Sequence, residues 1–428
     1  MDAARDEDAG LGVLSGASWK RRAALWGGGV AVALAAILFA KASDLAFTLF
    51  RALLRQSPYW ALLATPAVFA ALAWATGRGL QATRGSGIPQ VIAALQMPRA
   101  WGSRHLSMRV AAAKMALTVG GLLGGASIGR EGPTVHVGAA IMRAFGARFG
   151  FAGDRQSARF LLAGGAAGIA AAFNTPLAGV VFAIEELSGA FEHRFSGTLL
   201  TAVIVGGVVS LAVLGNYTYF GSMSAALPLG RGWLAVLACG LLCGLAGGVF
   251  SRLLLASAGT GNRWGRWRER HPVLLAAACG LLLAAMGTWV NAGAFGTGYE
   301  QARTLLQGEG HVGPAFGALK FAANLVSYAA GIPGGLFSPA LAVGAGLGDN
   351  LSALLPGVEP AAVVLLGMCG YLAGVTQAPL TSAVITMEMT DNNGMLLPIL
   401  ATVLLARGAS ALVCRQPVYK ALALRLLA

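Results

Sequence analysis

The sequence predicts an all-α polytopic membrane protein, on three observations. Of its 428 residues, 56% are hydrophobic and only 11% are Asp, Glu, Lys or Arg; a soluble globular protein carries roughly a quarter. Mean hydropathy is +0.68. The apolar residues gather into runs near the ~20 residues that carry a helix across a bilayer, without the ~10-residue alternating segments of a membrane β-barrel. This composition excludes a disordered chain, a secreted disulfide scaffold and nearly any soluble enzyme.

The elements follow from the charge-free stretches. These include Ala23–Ala40, Pro58–Gly77, Phe160–Ile184, Gly197–Gly230, Gly232–Ser251, Pro272–Tyr299, Phe321–Gly348, Pro360–Met387 and Asn392–Ala406. Three are broken inside, at Asn174–Pro176, at Gly331–Gly335 and at Gln377–Pro379. Broken helices are tolerated at membrane depth only where the freed backbone lines a cavity or is buried in protein. With 61 glycines, close helix packing is expected.

The net charge is +14, but the basic residues sit in short loops between apolar runs, where the positive-inside rule puts them. Aromatic and basic residues interleave only over Arg263–Arg270, which reads as a cytoplasmic loop facing lipid headgroups rather than nucleic acid. Lys20, Arg21 and Arg22 precede the first apolar run, which puts the N-terminus in the cytoplasm. Residues 1–22 form a cytoplasmic segment, and Met1 to Gly10 is too polar for a signal peptide. Cys239, Cys243, Cys279, Cys369 and Cys414 read as small core residues; no His or carboxylate near Cys239 and Cys243 supplies a metal site.

The breaks repeat. Gly85–Gln90 resembles Gly296–Gln301, Gly129–Gly138 resembles Gly335–Gly344, and Asn174–Glu186 resembles Gln377–Met389, at offsets of 211, 206 and 203. Three ordered matches at nearly one offset indicate two structural repeats, about residues 57–214 and 268–412. Interruptions at corresponding places in two halves point to a midplane binding site between them.

Each break puts a turn directly before an apolar helix. The first N–H groups of a helix have no intrahelical partner, and that end carries the positive pole of the dipole. Several such ends together make an anion site without a full buried positive charge. Ser86, Glu131 and Phe337 fall at or near these starts, and Ser86 adds a hydroxyl donor. Glu131 is a carboxylate inside an apolar region, which marks a functional group by default. Ionised, it takes an anion's place; protonated, it loses that attraction and swings away, which couples protons to anion access. The alternative is a carboxylate that only stabilises its own helix.

Glu185 and Glu186 end an apolar helix and point about 100° apart; one faces packing and the other a wet path, or both are solvated. Glu388 is the second-repeat counterpart. Lys114 is a lone cation among small residues and needs a partner. His136 reads as a packed histidine rather than a proton relay.

The residues that make these breaks are similar to the CLC family of chloride channels and chloride/proton exchangers. Gly85, Ser86, Gly87, Ile88 and Pro89 resemble the first part of its selectivity filter; Gly129, Arg130, Glu131, Gly132 and Pro133 the second; Gly335, Leu336, Phe337, Ser338 and Pro339 the third. Arg415 to Tyr419 resembles the segment that supplies the family's anion-binding tyrosine, on a C-terminal helix of about 416–426. The resemblance runs over nearly the whole chain from residue 23.

It implies a CLC-like fold with inverted-topology repeats, and a homodimer with one anion path per subunit in a lipid bilayer. The hydroxyls of Ser86 and Tyr419 and the amides of Leu336 and Phe337 would coordinate the anion. Glu131 would be the external gate and Glu186 the internal proton-transfer site. Chloride and protons would be the transported ligands, with no cofactor and no metal. Gln90 stands where glutamate is frequent and His136 where glutamine is. Ser338 replaces a variable position and is expected to matter little, because backbone amides do the binding there. No soluble regulatory domain is expected after Ala428, as in a compact prokaryotic form of an inner or plasma membrane.

The expected function is exchange of chloride for protons, supported by two carboxylates at different depths. A CLC-type channel and a cation-coupled transporter of a small organic anion are the alternatives. No nucleophile–base or metal constellation suggests an enzyme.

Overall fold

A computed structural model describes residues 16–97, 100–188, 197–215, 217–227, 230, 232–259, 263–310 and 312–427; the polar stretch Met1 to Gly10 lies outside the described residues. The elements are α1 (Gly16–Gln56), α2 (Ala61–Gly77), α3 (Ile88–Gln96), α4 (Met108–Leu123), α5 (Glu131–Arg148), α6 (Asp154–Phe173), α7 (Pro176–Phe182), α8 (Gly197–Leu214), α9 (Trp233–Ser257), α10 (Pro272–Trp289), α11 (Tyr299–Gln307), α12 (Phe316–Ala329), α13 (Phe337–Ser352), α14 (Pro360–Thr376), α15 (Pro379–Thr390), α16 (Leu396–Val413) and α17 (Val418–Leu427). Two short helices, Ala100–His105 and Arg263–Arg270, lie between the longer elements. No β-strand occurs among the described residues; the only extended pairings there are two isolated bridges, Gly85 with Pro333 and Gly129 with Gly335.

Six helices among the described residues are long and apolar enough to cross a bilayer: α1, α2, α8, α9, α10 and the run Asn393–Val413 that contains α16. Only 33% to 56% of each is buried inside the protein, so much of their surface faces outward, as a lipid-facing helix requires. The broken segments behave differently. In α6 every residue from Phe160 to Phe173 is buried, and in α14 every residue from Ala362 to Thr376. These two helices form the centre, and the lipid-facing helices wrap them.

The breaks have a local cause. Asn174 and Gln377 adopt left-handed backbone, at φ 58° and 59°, and each is followed within two residues by a proline at the first helical position. Left-handed backbone ends a helix and proline starts the next one. The Asn174 amide donates to the Tyr217 carbonyl at 2.8 Å and the Gln377 amide to the Cys414 carbonyl at 2.6 Å, so each turn is pinned the same way.

Small residues let the central helices touch. A Cβ on Gly138 would strike the Gly164 carbonyl and one on Gly344 would come within 2.5 Å of the Gly367 carbonyl. The α5–α6 crossing and the α13–α14 crossing therefore each depend on a glycine pair at corresponding positions of the two halves.

Two expected elements differ. The run Ala23–Ala40 is the middle of a longer helix, α1, of 41 residues; the helix continues through Lys41, Asp44 and Arg51, which face a cavity, where Asp44 and Arg51 find partners. Asp44 accepts from Arg130 at 2.6 Å, and Arg51 pairs with Glu300. The run Gly197–Gly230 is helical only to Leu214. Its described remainder lies across α15, where the Phe220 and Met223 amides donate to the Met389 and Thr390 carbonyls at 2.9 Å.

The two halves also exchange helix caps. Glu185, just past α7, accepts from the amides of Leu380 and Thr381 at the start of α15, at 3.1 and 2.7 Å. Glu388 on α15 accepts from Leu177 and Ala178 at the start of α7, at 3.2 and 2.7 Å. Each carboxylate satisfies two otherwise orphan donors and faces the positive end of the other half's helix. Glu388→Ala should lower stability by about 1–2 kcal/mol, read as a lower thermal midpoint in detergent, and Glu185→Ala should match it. Unchanged midpoints in both variants would contradict the capping role.

Candidate anion path

Two helix starts meet at the centre of the protein. The Gly129 amide donates to the Gly335 carbonyl at 2.8 Å, and the Gly335 amide returns a bond to the Gly129 carbonyl at 2.7 Å. Two residues beyond each glycine a helix begins, α5 at Glu131 and α13 at Phe337. The first intrahelical donors are Thr134 and Ala340, to the carbonyls of Arg130 and Leu336; the N–H groups before them have no intrahelical acceptor, and Pro133 and Pro339 carry no N–H. Among the described residues, no acceptor meets the amides of Glu131, Gly132, Phe337 and Ser338. Four free donors and two positive helix ends thus share one small volume, the kind of surroundings that favour an anion.

Side chains complete it. Ser86, Glu131, Phe337 and Tyr419 are all buried. Ser86 and Tyr419 approach each other, yet neither hydroxyl makes a hydrogen bond. Both hydroxyls therefore remain available as donors. The Tyr419 ring stacks on Phe337, with centroids 6.1 Å apart and planes 13° apart. Phe173 and Phe182 close round Phe337 at 6.2 and 6.0 Å. Gly132 lies against Ser86 so closely that any Cβ there would collide with the Ser86 hydroxyl oxygen.

The path has two mouths. One cavity, of about 470 Å³, is lined by Lys41, Asp44, Arg51, Arg130, Tyr219 and Glu300. A second, of about 590 Å³, is lined by Arg84, Ser86, Gln90, Arg268, Tyr328 and Arg425. Helix α10 joins their levels: Pro272 and Leu275 line the second, and Thr297 to Gln301, just past its far end, line the first. Its 18 residues span about 27 Å, close to the thickness of a bilayer core. Cations outnumber acids in both mouths, which raises local anion concentration.

The two carboxylates read as an open pair separate clearly. Glu185 is a helix cap. Glu186 is buried in a π-helical turn, Ala183–Ser188, with its Oε1 unpartnered. Such turns insert one extra residue and recur at functional sites. Tyr419 and the exposed Lys420 of α17 both lie near Glu186, so it stands between the aromatic end of the path and the protein surface.

Comparison of the halves shows which residues have diverged. Lys320 donates to the carbonyls of Ala294, Phe295 and Gly296 at 3.2, 3.2 and 2.6 Å. Its counterpart Lys114, equally buried beside Gly87, meets no acceptor among the described residues. The Thr297 hydroxyl accepts from Tyr299 at 3.2 Å, whereas its counterpart Ser86 is free. His136 donates from Nε2 to the His105 carbonyl at 2.9 Å, as a packed histidine does.

One functional contact escaped the sequence. Ser338, expected to matter little, donates from its hydroxyl to Glu131 Oε1 at 2.6 Å, with both groups buried. Only its place beside Phe337 at a helix start could have suggested this.

The sequence matches the voltage-gated chloride channel family over residues 67–411. The chain belongs to that family, the CLC family. Solved structures agree in fold. A slow cyanobacterial Cl⁻/H⁺ antiporter is 24% identical, with a TM-score of 0.80 over 95% of this chain and 98% of that one. A CLC-type fluoride/proton antiporter is 22% identical, with a TM-score of 0.79 over 94% and 97%. A eukaryotic CLC transporter is 23% identical, with a TM-score of 0.74 over 95% and 74%. This is a multi-span CLC membrane protein, and among the described residues no group of His, Cys, Asp and Glu is placed to hold a metal.

The glycine at 132 gives a direct test of the geometry. Gly132→Ala should displace the Ser86 hydroxyl and cost about 1–3 kcal/mol by overpacking, read as a lower thermal midpoint. Gly77→Ala, where nothing lies within 4 Å of the added Cβ, should leave the midpoint unchanged or raise it.

Proposed function

We propose that this protein exchanges chloride for protons, with Glu131 as the external gate and Glu186 as the internal proton-transfer site. The observation that carries the reading is the Glu131 carboxylate at the junction of two helix N-termini, amid free amide donors and the unpartnered hydroxyls of Ser86 and Tyr419. Ser86, Tyr419 and the amides of Leu336 and Phe337 coordinate the anion. An ionised Glu131 competes with the anion for the same donors, and protonation releases it. The 470 Å³ cavity beside Arg130 is then the outer mouth and the 590 Å³ cavity at Ser86 the inner one.

Exchange is favoured over a passive channel by Glu186, a buried carboxylate with no structural task, next to a neighbour whose task is structural. Two of the structural neighbours are a Cl⁻/H⁺ antiporter and a fluoride/proton antiporter, which supports the same reading. A larger organic anion would need more than two hydroxyls and a set of backbone amides. The proposal takes residues 23–428 as the transport domain, 57–214 and 268–412 as its repeats, and two identical subunits with one path each. The N-terminus is cytoplasmic, in an inner or plasma membrane, with Lys20 to Arg22 at the start of α1 on that side.

The deciding experiment measures the reversal potential of the purified protein in liposomes under a proton gradient at fixed chloride. Exchange shifts it and a channel leaves it unmoved. Glu131→Gln should keep anion flux while losing both proton coupling and most pH dependence; chloride-driven proton movement in that variant refutes the gate. Glu186→Gln should abolish proton flux while chloride flux persists, and retained coupled uptake would pass the role to another group.

A further inference from the structure

The hydroxyl of Ser338 makes the one side-chain hydrogen bond that reaches Glu131 among the described residues. It comes from the start of α13, 207 residues away, across the seam between the two halves. The other carboxylate oxygen, Oε2, is buried and makes no hydrogen bond. We propose that Ser338 is a positioning residue that latches the Glu131 carboxylate in the anion's place and so sets the pH at which the path opens. This rests on the reading of Glu131 as the gate.

The chemistry is that of a hydroxyl on a charged acceptor. An O–H···O⁻ bond is short and about twice as strong as one between neutral groups. The 2.6 Å separation falls in that range. A protonated carboxyl accepts the same bond more weakly, so the serine favours the ionised, docked carboxylate over the neutral, released one. Opening therefore requires more acid with the serine than without it.

Of the other groups that face Glu131, only Tyr219 also contacts this serine. Arg130, on the preceding residue, acts on the carboxylate through its charge and is itself tied to Asp44 and to the Ala40 carbonyl. Tyr219, from the segment after α8, lies beside both Ser338 and Glu131. Tyr419 approaches from α17. Their charges and dipoles are present in either case, and the serine's bond is stronger to the ionised carboxylate than to the neutral carboxyl.

The test is chloride efflux from proteoliposomes between acidic and neutral pH. Ser338→Ala should move the midpoint of acid activation upward by about one pH unit, the worth of one hydrogen bond to a charged group, with more chloride moved per proton. Ser338→Thr, which keeps the hydroxyl, should stay near the original midpoint. In a Glu131→Gln background the same Ser338→Ala change should have no further effect on flux or its pH profile. A flux reduced equally at every pH with an unmoved midpoint overturns the latch. So does a midpoint shift that survives in the Glu131→Gln background. If Glu131→Gln alone retains proton coupling, the gate reading itself fails, and that result is distinct from an unmoved Ser338→Ala midpoint in a protein that Glu131→Gln uncouples.

Discussion

The two hydrogen bonds between Gly129 and Gly335 fix the separation of two helix starts, and the site follows from that separation. With the glycines joined, α5 and α13 leave the same point and present their free amides to the same volume. Proline at the third position of each helix removes the donors that would face inward to no purpose. The positive ends of both dipoles are then concentrated at one point. Everything else, from the stacked rings of Phe337 and Tyr419 to the hydroxyl of Ser86, arranges itself round this pair of starts.

The internal duplication separates scaffold from chemistry. What the halves share is structural: the glycine crossings of α5 with α6 and α13 with α14, the left-handed turns at Asn174 and Gln377, and the exchanged caps of Glu185 and Glu388. What they do not share gathers along one path. Glu131 faces Phe337 in the repeat alignment, Glu186 faces Met389, and free Ser86 faces an engaged Thr297. Lys114 has lost the three carbonyls that hold Lys320. An amine buried close to the Ser86 loop with no acceptor among the described residues is costly to charge, whereas Lys320 is held by three carbonyls.

Much of the fold was legible because it rests on local signals. Gly/Pro turns before apolar runs mark the broken helices, and their recurrence at one offset marks the duplication. Glu131 stands out as a carboxylate at a helix start in an apolar setting. The unread parts are those that depend on partners far along the chain. α1 continues past Ala40 through Asp44 and Arg51, which meet Arg130 and Glu300, and no local pattern announces such pairs. The roles of Glu185 and Glu186 could not be told apart, since the difference lies in Leu380 and Thr381 nearly two hundred residues away. Ser338 was passed over for the same reason: its neighbours in sequence speak only of backbone, while its hydroxyl is committed across the seam.

The exchanged caps have a consequence for the order of assembly and for ancestry. As the chain emerges, α7 is made long before Glu388, so its first amides have no acceptor until almost the entire protein has been synthesised. The first half is therefore incomplete by itself and waits on the second. Reciprocity of this kind is what two copies of a half-length chain would show if they paired about a two-fold axis, for one glutamate per copy would then close the partner's helix. In a single chain each half still supplies the glutamate that closes the other's helix, while the residues along the site differ between the halves.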